Sequence, residues 1–247
     1  MKLSAIVLTY NEKRNIEDCL NGISWADEIL VIDSGSEDGT TGLAAQKGAK
    51  VISHSLTDFA AQRNFAMSQA AGDWVLFIDA DERVTPELAN EIKNLIAKPL
   101  PLYVYAIPRQ TFFFGRLLRF SDARHDTPVR LLPRDHARWA QPVHEKVETS
   151  LPQRQLASPL LHYSTRDMNH YRAKIVSYIP FELEVMRSKG LKARFSDILW
   201  KPSAKFLFLY FWKLGILDGV AGFQYAILSA YYYTFRKYWL YWKGRKK

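Results

Sequence analysis

The chain has 247 residues, 48% hydrophobic and 24% charged, enough for one substantial core and too apolar for extensive disorder. Its single cysteine, Cys19, excludes an intramolecular disulfide and fits a reducing compartment. The net charge of +9 is uneven: residues 1–165 carry 18 Lys and Arg against 20 Asp and Glu, and residues 166–247 carry 16 against 5, which points to an anionic partner for the last third.

Leu3–Thr9 reads as an apolar strand. Its run is too short for a secretory leader before charge returns at Glu12, so the expectation is a buried first strand of a cytoplasmic protein. A helix follows over Lys13–Leu20, with Asn11 as its expected cap. Glu28–Ile32 reads as a second strand, closed by the turn cluster Asp33-Ser34-Gly35-Ser36. A short helix over Gly39–Lys47 leads to a third strand, Lys50–Ser53. Asp58 caps a helix expected to run to Ala71, on the spacing of Phe59, Ala66 and Ala70. Trp74–Ile78 is the fourth strand, Pro86 opens the next helix, and Tyr103–Ile107 is the fifth strand. No internal repeat is present.

Strands alternating with helices imply an α/β fold, mostly parallel, with helices on both sheet faces. The strand runs AIVL, ILVI and VLFI are apolar throughout, as strands buried on both faces require. Ligands in such sheets bind beyond the carboxyl ends of the strands. Three polar clusters fall there: Thr9-Tyr10-Asn11-Glu12, Asp33-Ser34-Gly35-Ser36 and Asp79-Ala80-Asp81.

Two aspartates at i and i+2 after a strand suit a small hard cation, which binds through one or two carboxylates plus substrate phosphates. A helix or turn cap is the plainer use of such a pair. A dinucleotide fold would place a glycine-rich turn after the first strand, where this chain reads TYNEKRN. An aspartyl phosphatase would place its pair after the first strand rather than the fourth.

SAIVLTYNE, VIDSGSEDGT, AAQRN and FIDADERV resemble the nucleotide-sugar half of family 2 inverting glycosyltransferases with a GT-A fold, over residues 1–100. RQTFFFGRLLR, VRLLPRDHARW, PVHEKV and KLGILDGVAGFQYAILSAYYY are similar to the bacterial lipopolysaccharide inner-core glucosyltransferases of that family, which add a sugar to a heptose. The resemblance implies a GT-A domain over 1–165, with its acceptor half over 101–165, and a basic, aromatic helical region over 166–247. It implies a UDP-glucose donor and Mg²⁺ or Mn²⁺. Thr9, Tyr10 and Glu12 would line the nucleoside pocket, with Asp33 shaping it. Ser34 stands where the family often has a second aspartate. Asp79 would touch ribose or diphosphate and Asp81 would ligate the metal. Arg63 either reaches the diphosphate or forms an ion pair on a helix face. Inversion needs a base acting on the acceptor hydroxyl, and Asp122, Asp126, His144 and Glu145 are its candidates. The resemblance favours Glu145, with Asp126 second.

The longest uncharged run, the 17 residues Gly219–Phe235, falls short of the ~20 apolar residues of a membrane span. Its tyrosines, the flanking tryptophans and the basic residues from Arg236 onward suit an anionic membrane surface. The expectation is a peripheral protein on the cytoplasmic face of the bacterial inner membrane, with a lipid-linked glycan acceptor and no nucleic acid. Core packing and self-association are the alternatives for the tail. Another lipid-linked or capsular glycan, an aspartyl phosphatase and a non-catalytic membrane-bound module are the alternatives for the whole.

Overall fold

The computed structural model describes residues 1–55, 58–98, 102–141 and 146–244. In chain order the first part runs β1 (Leu3–Thr9), α1 (Ile16–Ile23), β2 (Glu28–Asp33), α2 (Thr40–Gln46), β3 (Lys50–Ser53), α3 (Phe59–Gln69), β4 (Trp74–Asp79), β5 (Glu82–Val84), α4 (Pro86–Ile96) and β6 (Val104–Ala106). Next come β7 (Arg109–Phe113), β8 (Arg116–Leu118), β9 (Val129–Pro133), β10 (Arg138–Ala140), β11 (Lys146–Glu148), β12 (Gln153–Gln155) and β13 (Leu160–Thr165). The chain ends in α5 (Met168–Ser188), α6 (Phe195–Leu207), α7 (Gly219–Ile227) and α8 (Phe235–Lys243). It divides into two compact units: Met1–Arg109 with Thr127–His162, and Gln110–Asp126 with Tyr163–Lys247.

The first unit is an α/β fold of the GT-A kind around a seven-stranded mixed sheet ordered β12-β6-β9-β4-β1-β2-β3. The β1–β2, β1–β4, β2–β3 and β12–β6 pairs are parallel, and β9 runs antiparallel to both β4 and β6. Alternating side chains of the central strands feed opposite layers. Ala5, Val7, Val31, Leu76 and Ile78 pack under Ile16, Cys19, Leu20 and Ile23 of α1 and Leu88 and Ile92 of α4. Ile6, Leu30, Ile32, Val75 and Phe77 pack under Ala60, Ala66 and Met67 of α3 and Ala70 just beyond its end. Burial on both faces is why these strands read as unbroken apolar runs.

Local signals hold with one correction. Asp58 caps α3 by accepting from the Ala61 N–H at 2.7 Å, and Thr85 with Pro86 opens α4. Asn11 caps nothing. It has φ 55°, and its side-chain carbonyl accepts from the Glu37 N–H at 2.9 Å. The helix starts later, at Ile16, because residues 10–15 form a loop laced to residues 36–40.

In the second unit, β7 and β8 form a hairpin whose turn residues, Phe114 and Gly115, have φ 50° and 73°, the left-handed pair that a two-residue turn requires. Asp167 caps α5 by accepting from the His170 N–H at 2.8 Å. Tyr171, Ile175 and Ile179 of α5 pack with Phe113, Leu118 and Ala221. α6 continues into a π-helical turn, Phe208–Trp212, and α7 into another, Leu228–Thr234.

Candidate active site

The connection through α3 carries the chain from β3 at one edge back across β1 to β4, so the strand order reverses between β1 and β4. This reversal opens a crevice beyond the strand ends. Register sets what lines it: Thr9 is paired with Asp33, and Leu8 with Asp79. Asp33 is buried and accepts from the Gly35 and Ser36 N–H groups at 2.9 and 2.8 Å and from the Ser36 hydroxyl at 2.5 Å. Gly35 has φ 96°, a conformation this turn leaves to glycine. Ser34 accepts from the Gln62 amide at 3.0 Å, and Gln62 meets the His54 ring at 2.9 Å. Glu12 accepts from the Asn15 amide at 2.6 Å. Tyr10 is 54% exposed. The Thr9 hydroxyl is buried with no hydrogen-bond partner among the described residues.

Behind β4 lies a buried charge network that sequence reasoning did not assemble. Glu82 is fully buried. One of its oxygens accepts from Arg109 at 3.0 Å and Arg130 at 2.7 Å, and the other accepts from the Asp79 N–H at 2.9 Å. Arg130 also reaches Asp79 at 2.5 Å. Arg63 lies between Phe77 and Trp139, 5.0 and 4.8 Å from their ring centroids, with Nη2 3.5 Å from Asp79. Arg63 is therefore a buried cleft residue rather than part of a surface pair. Burial by itself would raise the Asp79 carboxyl; Arg130 and Arg63 outweigh it and hold the group well below the usual carboxylate range. Burial would lower the Arg130 guanidinium, and Asp79 and Glu82 reverse that. Arg83 donates to the carbonyls of Ala80 and Glu82, both at 2.9 Å, and to Asn15 at 3.2 Å. It fixes the turn between the two aspartates.

That turn sends Asp79 and Asp81 to different partners. In the β5–β13 ladder His162 stands opposite Glu82. This register brings His162 Nε2 to 3.4 Å from the Asp81 carboxylate, with both side chains nearly buried. A carboxylate and an imidazole converging in this way are suitable donors for a divalent cation, whose remaining positions a diphosphate and water would fill. Among the described residues no group of three or more His, Cys, Asp or Glu could hold a metal. A cleft of about 490 Å³ is lined by Arg63, Asp79, Arg109, Arg130, Trp139 and Lys146; Asp79 lines it, and Asp81 and His162 do not.

The base candidates divide. His144 and Glu145 lie outside the described residues. Asp122 and Asp126 belong to the second unit, where Asp122 pairs with Lys205 at 3.2 Å and Asp126 follows the turn Ser121–His125. The signals for the missed residues were present in the sequence. Arg130 in VRLLP and His162 in LLHYST are polar residues inside apolar strand runs, where an ionisable side chain normally needs a partner.

Residues 4–164 match the family model for glycosyl transferase family 2. The chain belongs to glycosyltransferase family 2. The lipopolysaccharide core biosynthesis glycosyltransferase LpsC of Rhizobium meliloti (strain 1021) is 27% identical over 246 residues, 93% of this family 2 chain and 91% of that one. Two solved structures are similar over part of the chain. The mannosyl-3-phosphoglycerate synthase of Rubrobacter xylanophilus is 28% identical, with TM-score 0.40 over 45% of this chain and 41% of that one. The glucosyl-3-phosphoglycerate synthase of Mycobacterium tuberculosis, in complex with Mn²⁺, UDP and phosphoglyceric acid, is 24% identical, with TM-score 0.38 over 45% and 43%.

Proposed function

We propose that this family 2 enzyme transfers glucose from UDP-glucose, with inversion, to a heptose of the lipopolysaccharide inner core, using Mg²⁺ or Mn²⁺. The observation that carries the reading is the Asp81–His162 pair just beyond the end of β4, two residues on from Asp79, which lines a basic cleft. The name of the Rhizobium relative, matched over nearly its full length, supports the acceptor class.

In this reading Tyr10 stacks on the base, and the Thr9 hydroxyl, the Ser34 hydroxyl and Glu12 contact the nucleoside in a pocket shaped by Asp33. Asp79 touches the ribose. Its charge is already neutralised by Arg130 and Arg63, so the donor's phosphates meet a cationic wall rather than a bare carboxylate. A cation bound by Asp81 and His162 would supply electrostatic stabilisation to the departing diphosphate. Arg63 and Arg109 add donors fixed by packing and ion pairs, which need no rearrangement as charge develops. Glu145 takes the proton of the acceptor hydroxyl on the face of the sugar opposite the leaving group. A lipid-linked acceptor would set this reaction at the cytoplasmic face of the inner membrane.

A donor screen tests the reading. UDP release is followed with UDP-glucose and with other nucleotide sugars, with Mn²⁺, Mg²⁺ or chelator, and with and without heptose-containing core acceptor. The expected result is metal-dependent release that prefers UDP-glucose, rises with the heptose acceptor, and falls about 10²–10³-fold in Asp81→Ala and His162→Ala. Equal turnover by Asp81→Ala overturns the site. Release stimulated by a different glycan overturns the acceptor alone.

A further inference from the structure

The second unit carries an apolar tip. Between Leu207 and Phe223 nine large hydrophobic side chains are exposed, among them Leu207 (55%), Phe211 (52%), Trp212 (80%), Leu217 (61%), Val220 (57%) and Phe223 (43%). A patch of this kind on a water-soluble surface marks an interaction site. We infer that this tip inserts into the headgroup and acyl boundary of an anionic lipid bilayer and holds the protein there as a shallow wedge.

Three observations select lipid over a protein partner. The first is backbone satisfaction, which hydrocarbon demands and a protein groove could instead supply. The turn closes on itself: Lys213 N–H donates to the Phe208 carbonyl at 2.8 Å, Leu214 to Phe211 at 3.1 Å and Leu217 to Leu214 at 2.9 Å. The second is the handling of acid. Asp218 accepts from the Arg119 and Phe120 N–H groups at 2.9 and 3.0 Å, and Asp122 is paired with Lys205. The third is the surrounding charge. Lys205 and Lys213 lie 5.9 and 5.6 Å from the Phe208 ring, and Lys201 lies 4.1 Å from the Tyr238 ring. These ammonium groups sit over aromatic rings of the second unit, with Lys205 and Lys201 also paired to Asp122 and Asp197, a basic and aromatic rim of the kind found at bilayer interfaces. A second copy of this chain would instead bring two strongly basic surfaces together.

By length and composition the bent pair Phe195–Trp212 and Gly215–Lys243 qualifies together as a broken span or a re-entrant loop, and the wedge is the shallow form of that insertion. Among the described residues no single helix is long and apolar enough to span a membrane. The segments Phe195–Trp212 and Gly215–Lys243 are bent by 72° at the tip. The bend is built in by two glycines. A Cβ on Gly222 would sit 1.8 Å from the Gly215 carbonyl oxygen, and one on Gly215 would sit 2.5 Å from the Ser121 hydroxyl. The wedge is thus preformed and gives up little conformational freedom on binding.

The test is sedimentation with vesicles of phosphatidylethanolamine and phosphatidylglycerol, against phosphatidylcholine alone, at low and high salt. The wild type should bind the anionic vesicles and be weakened by salt. Trp212→Glu with Leu217→Glu should lower partitioning about tenfold or more while UDP release from a soluble donor stays normal. Brominated lipid should quench wild-type tryptophan fluorescence more than that of Trp212→Phe, a readout that needs no destabilising change. Unchanged binding by the double variant, or equal quenching in Trp212→Phe, overturns the wedge. So does a wild-type dimer that the double variant converts to monomer with vesicle binding intact, which would assign the tip to self-association. None of these outcomes depends on which sugar is transferred.

Discussion

The two units invert each other's use of burial. The first hides charge: Glu82, Arg63 and Arg130 are all at least nine-tenths buried, in a network around β4 and β5. The second exposes grease, with Trp212 at 80% and Leu217 at 61%. Both depart from the usual partition of side chains, and both cost stability unless something is gained. The contrast teaches that each unit is shaped for a partner of opposite character. On the proposed readings, the first would meet an anionic, hydrogen-bonding ligand that rewards fixed cations, and the second a medium that rewards apolar area.

The largest expected effect probes chemistry alone. Glu145→Gln keeps the shape of the side chain and removes the proposed base. Glycosyl transfer should fall about 10²–10⁴-fold with donor affinity retained, measured as transfer rate against UDP-glucose binding by calorimetry. Near-normal transfer would pass the role to Asp126 or His144. Vesicle binding should not change, because no part of the apolar tip is touched.

Next is the buried network. Arg130→Leu leaves Glu82 with Arg109 as its remaining guanidinium and Asp79 with Arg63. Breaking a buried pair from one side costs about 3–5 kcal/mol, read as a lower urea midpoint. Adding Glu82→Gln should recover part of the loss, because it is the stranded charge that costs. A change under about 1 kcal/mol, the size expected of an exposed pair, would mean the network adds little to the fold.

Gly222→Ala sharpens the other side. In an open helix alanine would stabilise by about 1 kcal/mol over glycine. Here the added carbon meets a backbone carbonyl at 1.8 Å, so space decides the sign. Overpacking of this kind costs about 1–3 kcal/mol and should open the bend. Vesicle binding should weaken while UDP release in solution stays within about twofold. Stabilisation instead would show the Gly215–Gly222 approach to be loose.

Much of the first unit was legible because parallel strands and amphipathic crossovers are local patterns. AIVL, ILVI and VLFI each specify a doubly buried strand, and strand-end logic then gathers Thr9, Asp33 and Asp79 without any long-range information. Arg130, Glu82 and His162 needed pairings across 48 and 80 positions of sequence, which no local pattern carries. Asn11 misled because an Asx side chain caps a loop as readily as a helix. In the second unit the aromatic runs are visible, but their exposure is not. Whether Trp212 faces a core or the outside depends on the bend set by Gly215 and Gly222, and a close approach of two glycines seven residues apart leaves no periodic trace.

The smallest prediction isolates one carboxyl. Asp79 is held below its ordinary value of 3.8, chiefly by Arg130 against the opposing effect of burial. A depressed carboxyl stabilises the fold fully above its unfolded value, and that contribution is lost as the pH falls below about 4 towards the folded value. The slope for one proton is at most about 1.4 kcal/mol per pH unit. In Arg130→Gln the carboxyl loses its main partner and rises, so less of its stabilisation remains to be lost in acid. The stability gap between wild type and Arg130→Gln, from urea melts, should therefore be widest at pH 6–7 and narrow below pH 4. A gap that stays constant down to pH 3 would mean that Arg130 is not what lowers Asp79, and that Asp79 owes its low value to Arg63.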